Sequence, residues 1–329
     1  MKPSHIKTAL ETLLAIRQPV FLWGPPGVGK SQLVAQTAKA QHLALVDIRA
    51  ILLDPVDLRG IPRITEAHTA SWCPPAFLPK DPHTKGILFL DELNAAPPLV
   101  QAACYQLVLD RRIGEYLLPE GWSVVAAGNR EGDRAVTHHM PTALANRMVH
   151  LECEVDINDW LLWAKGAGIC SEVLAFLKFR PKLLHDFEPS RRARAFASPR
   201  SWEFLSNILK ASPSPDILSE LVSGTIGPGA SAEFLGFLNI FRDLPEVSDI
   251  LARPTTAIVP SEPAALYALA EALAQAATPA CLDALVCYAQ RLPVEFAVLL
   301  LRDVCQKHSS LVKSPAFISW AQANAEVFV

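Results

Sequence analysis

Residues 24–31 read Gly-Pro-Pro-Gly-Val-Gly-Lys-Ser, and no other stretch restricts the fold of the chain so strongly. The octapeptide fits G-x-x-x-x-G-K-[ST], in which glycines let backbone N–H groups close around phosphate oxygens. The apolar run Val20-Phe21-Leu22-Trp23 precedes it, and a helix-compatible stretch, Gln32 to Ala40, follows. Strand, loop and helix in that order bring the positive end of a helix dipole to the loop, which a chance glycine turn would not. A phosphate site is therefore expected over Gly24, Pro25, Pro26, Gly27, Val28, Gly29, Lys30, Ser31 and Gln32. Lys30 would hold the β- and γ-phosphates of a nucleoside triphosphate, and Ser31 would ligate magnesium.

The 329 residues suffice for two domains with sizeable cores. Half are hydrophobic and 19% are charged, a globular and rather apolar composition that excludes a disordered chain. The net charge of −3 gives no global basic field of the kind nucleic-acid binders carry, although a local one stays open. Cys73, Cys104, Cys153, Cys170, Cys281, Cys287 and Cys305 show no C-x-x-C pair and no histidine at metal spacing. Most have apolar neighbours, so buried free thiols in a reducing compartment are expected. The pair His138-His139 reads as a loop feature. Met1-Lys2-Pro3-Ser4-His5 lacks the apolar core of a secretion signal. No run of about 18 uncharged apolar residues suggests a membrane span, and a cytoplasmic location is expected.

Residues 6–18 have helical spacing of Ile6, Leu10, Leu13, Leu14 and Ile16. Strands are expected at Val20–Trp23, Leu43–Ile48, Gly86–Leu90, Ser123–Ala127 and Met148–Cys153, and a helix over 97–110. Near-continuous apolar strands alternating with helices indicate a parallel sheet covered on both faces. Residues 50–85 are proline-rich and expected to be irregular, a length of connection that is usually functional. Arg111 to Leu118 could form a small hairpin. Beyond Val155 only helical patterns occur, at 159–165, 171–179, 199–209, 215–223, 264–277, 281–291, 294–308 and 315–325. Gly224 to Gly229 should break the helices, and 245–262 reads as a second joint. The implied architecture is an α/β nucleotide domain over 1–155, a helical lid over 156–244 and a helical extension over 245–329.

Asp91 and Glu92 close the strand Gly86-Ile87-Leu88-Phe89-Leu90. Asp91 at that place can hold magnesium, and Glu92, one residue on, can polarise a water as general base. Acids merely capping a strand would be the bland reading, but the phosphate loop outweighs it. Asn129 ends the next strand, where a neutral amide can orient the attacking water without competing for the metal. Arg200 lies in Ser198-Pro199-Arg200-Ser201-Trp202, where proline in a helix's first turn fits, and could return to the nucleotide. The basic run Arg191-Arg192-Ala193-Arg194 lacks interleaved aromatics and reads as a solvated or inter-subunit loop.

In this order the motifs resemble those of the MoxR group of AAA+ ATPases, close to magnesium-chelatase motor subunits and the rubisco-activating CbbQ proteins. The resemblance runs from about residue 18 to 205 and is strongest at Gly24–Ser31, Ile87–Asn94, Gly128–Arg130 and Ser198–Trp202. Leu90-Asp91-Glu92-Leu93-Asn94 is similar to the family's LDEINR-type segment, with Ala95 where a basic residue is usual. The resemblance implies a P-loop AAA+ fold with ATP and magnesium as cofactors. It makes Lys30 and Ser31 the Walker A contacts, Asp91 and Glu92 the Walker B pair, and Asn129 sensor 1. Arg147 falls at the arginine finger, with Arg130 as a competitor, and Arg200 at sensor 2. Asp54-Pro55-Val56-Asp57-Leu58-Arg59-Gly60 is similar to the start of the family's insertion after the second strand, and 111–118 to its pre-sensor hairpin.

The resemblance also implies a homo-hexameric ring that remodels or activates a client protein, with a partner carrying a von Willebrand A domain. A nucleic-acid motor and a scaffold gated by nucleotide binding stay open as alternatives. The low charge argues against the first, and the intact Glu92 and Asn129 against the second. The client, and the preference for ATP over other purine triphosphates, are not legible in the residues.

Overall fold

The computed structural model describes residues 1–133, 138, 140–190 and 193–324. His139 of the histidine pair, Arg191 and Arg192 of the basic run, and Ala325 lie outside the described residues. The chain divides into two compact units, Met1–Asp159 with 187–192, and Trp160–Asp186 with 193–329.

The first unit opens with α1 (Pro3–Ala15), β1 (Val20–Trp23), α2 (Lys30–Ala40) and β2 (Ala44–Arg49). It continues through α3 (Pro55–Arg59), a hairpin of β3 (Ile61–Ile64) and β4 (Ala70–Cys73), then β5 (Gly86–Asp91) and α4 (Pro98–Asp110). After a second hairpin, β6 (Arg112–Ile113) and β7 (Tyr116–Leu117), come β8 (Trp122–Gly128), α5 (Thr142–Ala145) and β9 (Val149–Glu152). The main sheet has the order β2-β5-β8-β1-β9, and every neighbouring pair in it is parallel. All strands therefore end at one edge, where Trp23, Asp91 and Gly128 lie together.

Strand periodicity sends alternate side chains to opposite faces. Val20, Leu22, Ile87, Phe89, Val125 and Ala127 pack against Ile6 and Leu10 of α1 and Leu33 and Val34 of α2. Phe21, Leu88, Leu90, Val124 and Ala126 pack against Val100, Ala103, Cys104 and Leu107 of α4. Helices on both faces explain why β8 is buried along its whole length.

The expected five strands and the 111–118 hairpin are present. Residues 50–85, expected to be irregular, instead carry α3 and the β3–β4 hairpin, in which Ile61 pairs with Cys73 and Ile64 with Ala70. The period-2 signal failed there because β3 is exposed throughout and buries no face that could pattern it. The free thiols are also less uniformly buried than expected: Cys104 and Cys153 are buried, whereas Cys73 is exposed.

The second unit is helical among the described residues. It contains α6 (Ile157–Gly166) from Trp160 onward, α7 (Ser171–Phe179), α8 (Pro199–Lys210), α9 (Pro215–Ile226), α10 (Pro228–Arg242) and α11 (Val247–Ala252). Then follow α12 (Pro263–Ala276), α13 (Leu282–Ala289), α14 (Val294–Lys307) and α15 (Pro315–Ala323). Gly224 to Gly229 does not break the helices as a block. α9 runs through Ile226, and Pro228 at a first helical position starts α10, so only Gly227 separates them. Phe176 centres an aromatic core with Trp202, Phe234 and Phe237 at ring distances of 5.5, 5.2 and 5.4 Å. Among the described residues no helix is long and apolar enough to cross a membrane.

Candidate functional site

The carboxyl edge of an open parallel sheet is where such folds bind ligands. Here β1 leaves the sheet into Gly24–Gly29 and re-enters order at Lys30, the first residue of α2. Gly29 caps α2 at φ 92°, in the left-handed region that glycine alone adopts readily, and contributes no side-chain cap. The first N–H groups of a helix have no intrahelical acceptor, so an uncapped α2 presents them to an anion. Val28 is buried in the α1–α2 core and pins the loop beneath. Gln32 is exposed.

Lys30 is only 9% exposed. Its Nζ donates to Gly24 O at 2.6 Å, Pro25 O at 3.2 Å and Asn129 Oδ1 at 3.1 Å. The lysine thus ties the loop to the end of β8. Ser31 Oγ donates to Asp91 Oδ2 at 2.7 Å, joining the loop to the end of β5. The other Asp91 oxygen accepts the Glu92 N–H at 2.9 Å. Glu92 itself has φ 56°, a left-handed conformation that costs a non-glycine residue about 1–3 kcal/mol and clusters at functional sites.

Lys30, Ser31, Asp91 and Asn129 are accordingly brought into one hydrogen-bonded group, with Glu92 adjoining it. A hydroxyl and a carboxylate at 2.7 Å form the hard-oxygen pair that suits magnesium, so the residues fit that ion. Cys153 lies beside the loop, donating its N–H to Trp23 O at 2.7 Å. Burial pushes its thiol up to about 11, against the pull of Lys30, and keeps it uncharged at neutral pH.

Arg147 stands elsewhere. Val149, two residues on, pairs with Val20 at the start of β1, and Arg147 O accepts from Gln18 Nε2 at 3.4 Å. Arg147 therefore sits at the amino edge of the sheet, across the strands from Lys30. At about 3.3 Å per residue, the four residues of β1 hold the two edges about 13 Å apart. Its side chain is exposed and makes no ion pair among the described residues. Arg130, the competitor, is engaged within the chain: it reaches both carboxylate oxygens of Asp133 at 3.2–3.3 Å and Glu152 at 3.8 Å. Arg200 belongs to the second unit, exposed in the first turn of α8 behind a reciprocal Ser198–Ser201 capping box.

Two neighbours of the site were given no role from the sequence. Asp47 on β2 has its carboxyl raised above the ordinary range by burial and by the charge of Asp91, with Arg49 acting against both. Its signal was a lone acid inside an apolar strand. Asn94, 2% exposed, donates from Nδ2 to Asn129 O at 2.7 Å.

Residues 19–148 match the family of AAA domains, dynein-related subfamily. They form an AAA+ domain. NtrX from Brucella abortus, solved in complex with ATP, is similar at 15% identity over 98% of this chain and 67% of that one, with a TM-score of 0.42. A mutant of RuvB from Thermotoga maritima is similar at 19% identity over 82% of each chain, with a TM-score of 0.40. No curated protein matches the chain. The parallel sheet, the P-loop and the family match together make the first unit a nucleotide-binding AAA+ fold.

Proposed function

We propose that the chain is an ATP-hydrolysing ring ATPase of the MoxR type, which remodels or activates a client protein together with a partner carrying a von Willebrand A domain. In this reading the α2 N-terminus and Lys30 bind the phosphates, and Ser31 and Asp91 hold magnesium. That ion would neutralise charge on the β- and γ-phosphates. Glu92 takes the proton of the attacking water, and Asn129 orients that water. Arg200, in the helical lid of 156–244, takes the sensor 2 place that the resemblance gives it.

The observation that carries the ring is the place of Arg147. An exposed arginine at the sheet edge opposite its own phosphate loop can serve the γ-phosphate of a neighbouring copy, whereas Arg130 is held by Asp133 and Glu152. Arginines supplied in trans raise turnover by about 10³–10⁵ in related phosphoryl transfers. Arg147→Ala should abolish hydrolysis while leaving ATP affinity intact, measured by phosphate release and by binding of a fluorescent ATP analogue. Turnover retained in that variant would remove Arg147 from the site and the ring from the mechanism.

A further inference from the structure

We propose that Asn94 is a positioning residue that fixes Asn129 for hydrolysis; the inference rests on the role given to Asn129 above. Asn129 is the first residue beyond β8, whose pairing ends at Ala126 with β5 and at Gly128 with β1. Its carbonyl lies past the paired stretch, while its side chain meets Lys30 Nζ at 3.1 Å. The Asn94 amide holds that carbonyl, donating to Asn129 O at 2.7 Å from the turn that follows Glu92.

Asn94 is in turn anchored from behind. Its carbonyl accepts the His138 N–H at 2.7 Å and lies at 3.5 Å from Gln101 Nε2, which also donates to Ala96 O at 3.0 Å. Tyr105 Oη donates to Gln101 Oε1 at 3.2 Å, so the anchor extends along α4. The catalytic turn of β5 and the end of β8 are thereby set by one side chain.

The other half of the Asn94 amide shows that this place is not built for filling space. Asn94 Oδ1 is buried with no hydrogen-bond partner among the described residues. Buried polar atoms are nearly always paired, and an apolar side chain of the same size would carry no such defect. The donor bond to Asn129 is what an amide offers there and leucine does not. Gly128 completes the fit. A Cβ at that position would overlap Asn94 Oδ1 and stand 2.8 Å from Phe21 Cζ, so only glycine lets Asn94 approach the strand end.

The test uses the full chain with Asn94→Leu, Asn94→Asp, Asn129→Ala and the double variant Asn94→Leu/Asn129→Ala. ATP affinity is read with a fluorescent ATP analogue, kcat by phosphate release and the fold by thermal melting. Removing a residue that orients a functional ligand group typically costs 10–100-fold. Both Asn94 variants should bind ATP as the parent does, melt as a folded protein and lose at least about 10-fold in kcat. The double variant should be no slower than Asn129→Ala, because one residue acts through the other. Parental kcat in Asn94→Leu beside an impaired Asn129→Ala would overturn this proposal alone. Parental kcat in Asn129→Ala would instead overturn the role of Asn129, and this proposal with it. Loss of the folded state in both Asn94 variants would assign the residue to the core and overturn it as well.

Discussion

The buried charges of the second unit offer a stability test whose size follows from the geometry. Lys178 on α7 bridges Glu271 on α12 and Asp303 on α14, and the three side chains are 5%, 3% and 6% exposed. Asp303 has a second cation, Lys165 at 2.8 Å, whereas Glu271 keeps only an amide bond from Gln275 at 3.2 Å among the described residues. Lys178→Met preserves length and removes the ammonium, so the damage concentrates on Glu271. Breaking a buried pair by deleting one partner costs about 3–5 kcal/mol. At about 2–4 °C per kcal/mol for a unit of this size, the melting temperature should fall by roughly 6–20 °C. Circular-dichroism melts at pH 8 measure it. Lys178→Met/Glu271→Gln should recover most of it, because an amide leaves no uncompensated buried charge.

In the parent, Lys178 and Asp303 both keep their charges across the neutral range. Burial works against the Lys178 ammonium, but Glu271 and Asp303 outweigh it and hold its pKa above the ordinary lysine range. Burial likewise opposes the Asp303 carboxylate, but Lys178 and Lys165 outweigh it and hold its pKa low. The contribution of Asp303 is present above the unfolded value of about 3.9 and lost as pH falls through the lower folded value. That of Lys178 is present below about 10.4 and lost as pH rises through the higher folded value. A fall under about 2 °C in Lys178→Met would refute the reasoning, since an uncompensated buried carboxylate must cost more.

Two further outcomes are expected. Gly29→Ala forces a Cβ into φ 92° at the start of α2, a conformation costing about 1–2 kcal/mol, and should weaken ATP binding by roughly 10-fold by titration with a fluorescent ATP analogue. Alkylation at pH 8 with mass-spectrometric readout should label exposed Cys73 and leave Cys104 untouched, because burial pushes the Cys104 thiol up to about 12.

The sheet strands and the phosphate loop were legible because each rests on local pattern: apolar runs buried on both faces, and glycine, lysine and serine at set spacing. The hairpin over 61–73 was not, because its strands are exposed and alternate nothing. α10 was hidden by Gly229 and Gly236, which tertiary packing of Phe234 and Phe237 overrides. Asn94 and Asn129 lie 35 residues apart, and no periodicity connects them. Their meeting follows only from β5 and β8 being neighbours. Arg147 was named by resemblance; that it stands at the opposite edge from Lys30 needed the strand register.

The most direct test of the shared site is ATP turnover per subunit against protein concentration, with Glu92→Gln as the blank and sizing at each concentration. The account predicts turnover that rises steeply as copies associate and then saturates. Turnover unchanged down to concentrations at which the protein is monomeric would contradict it, because one copy would then hold a complete active site.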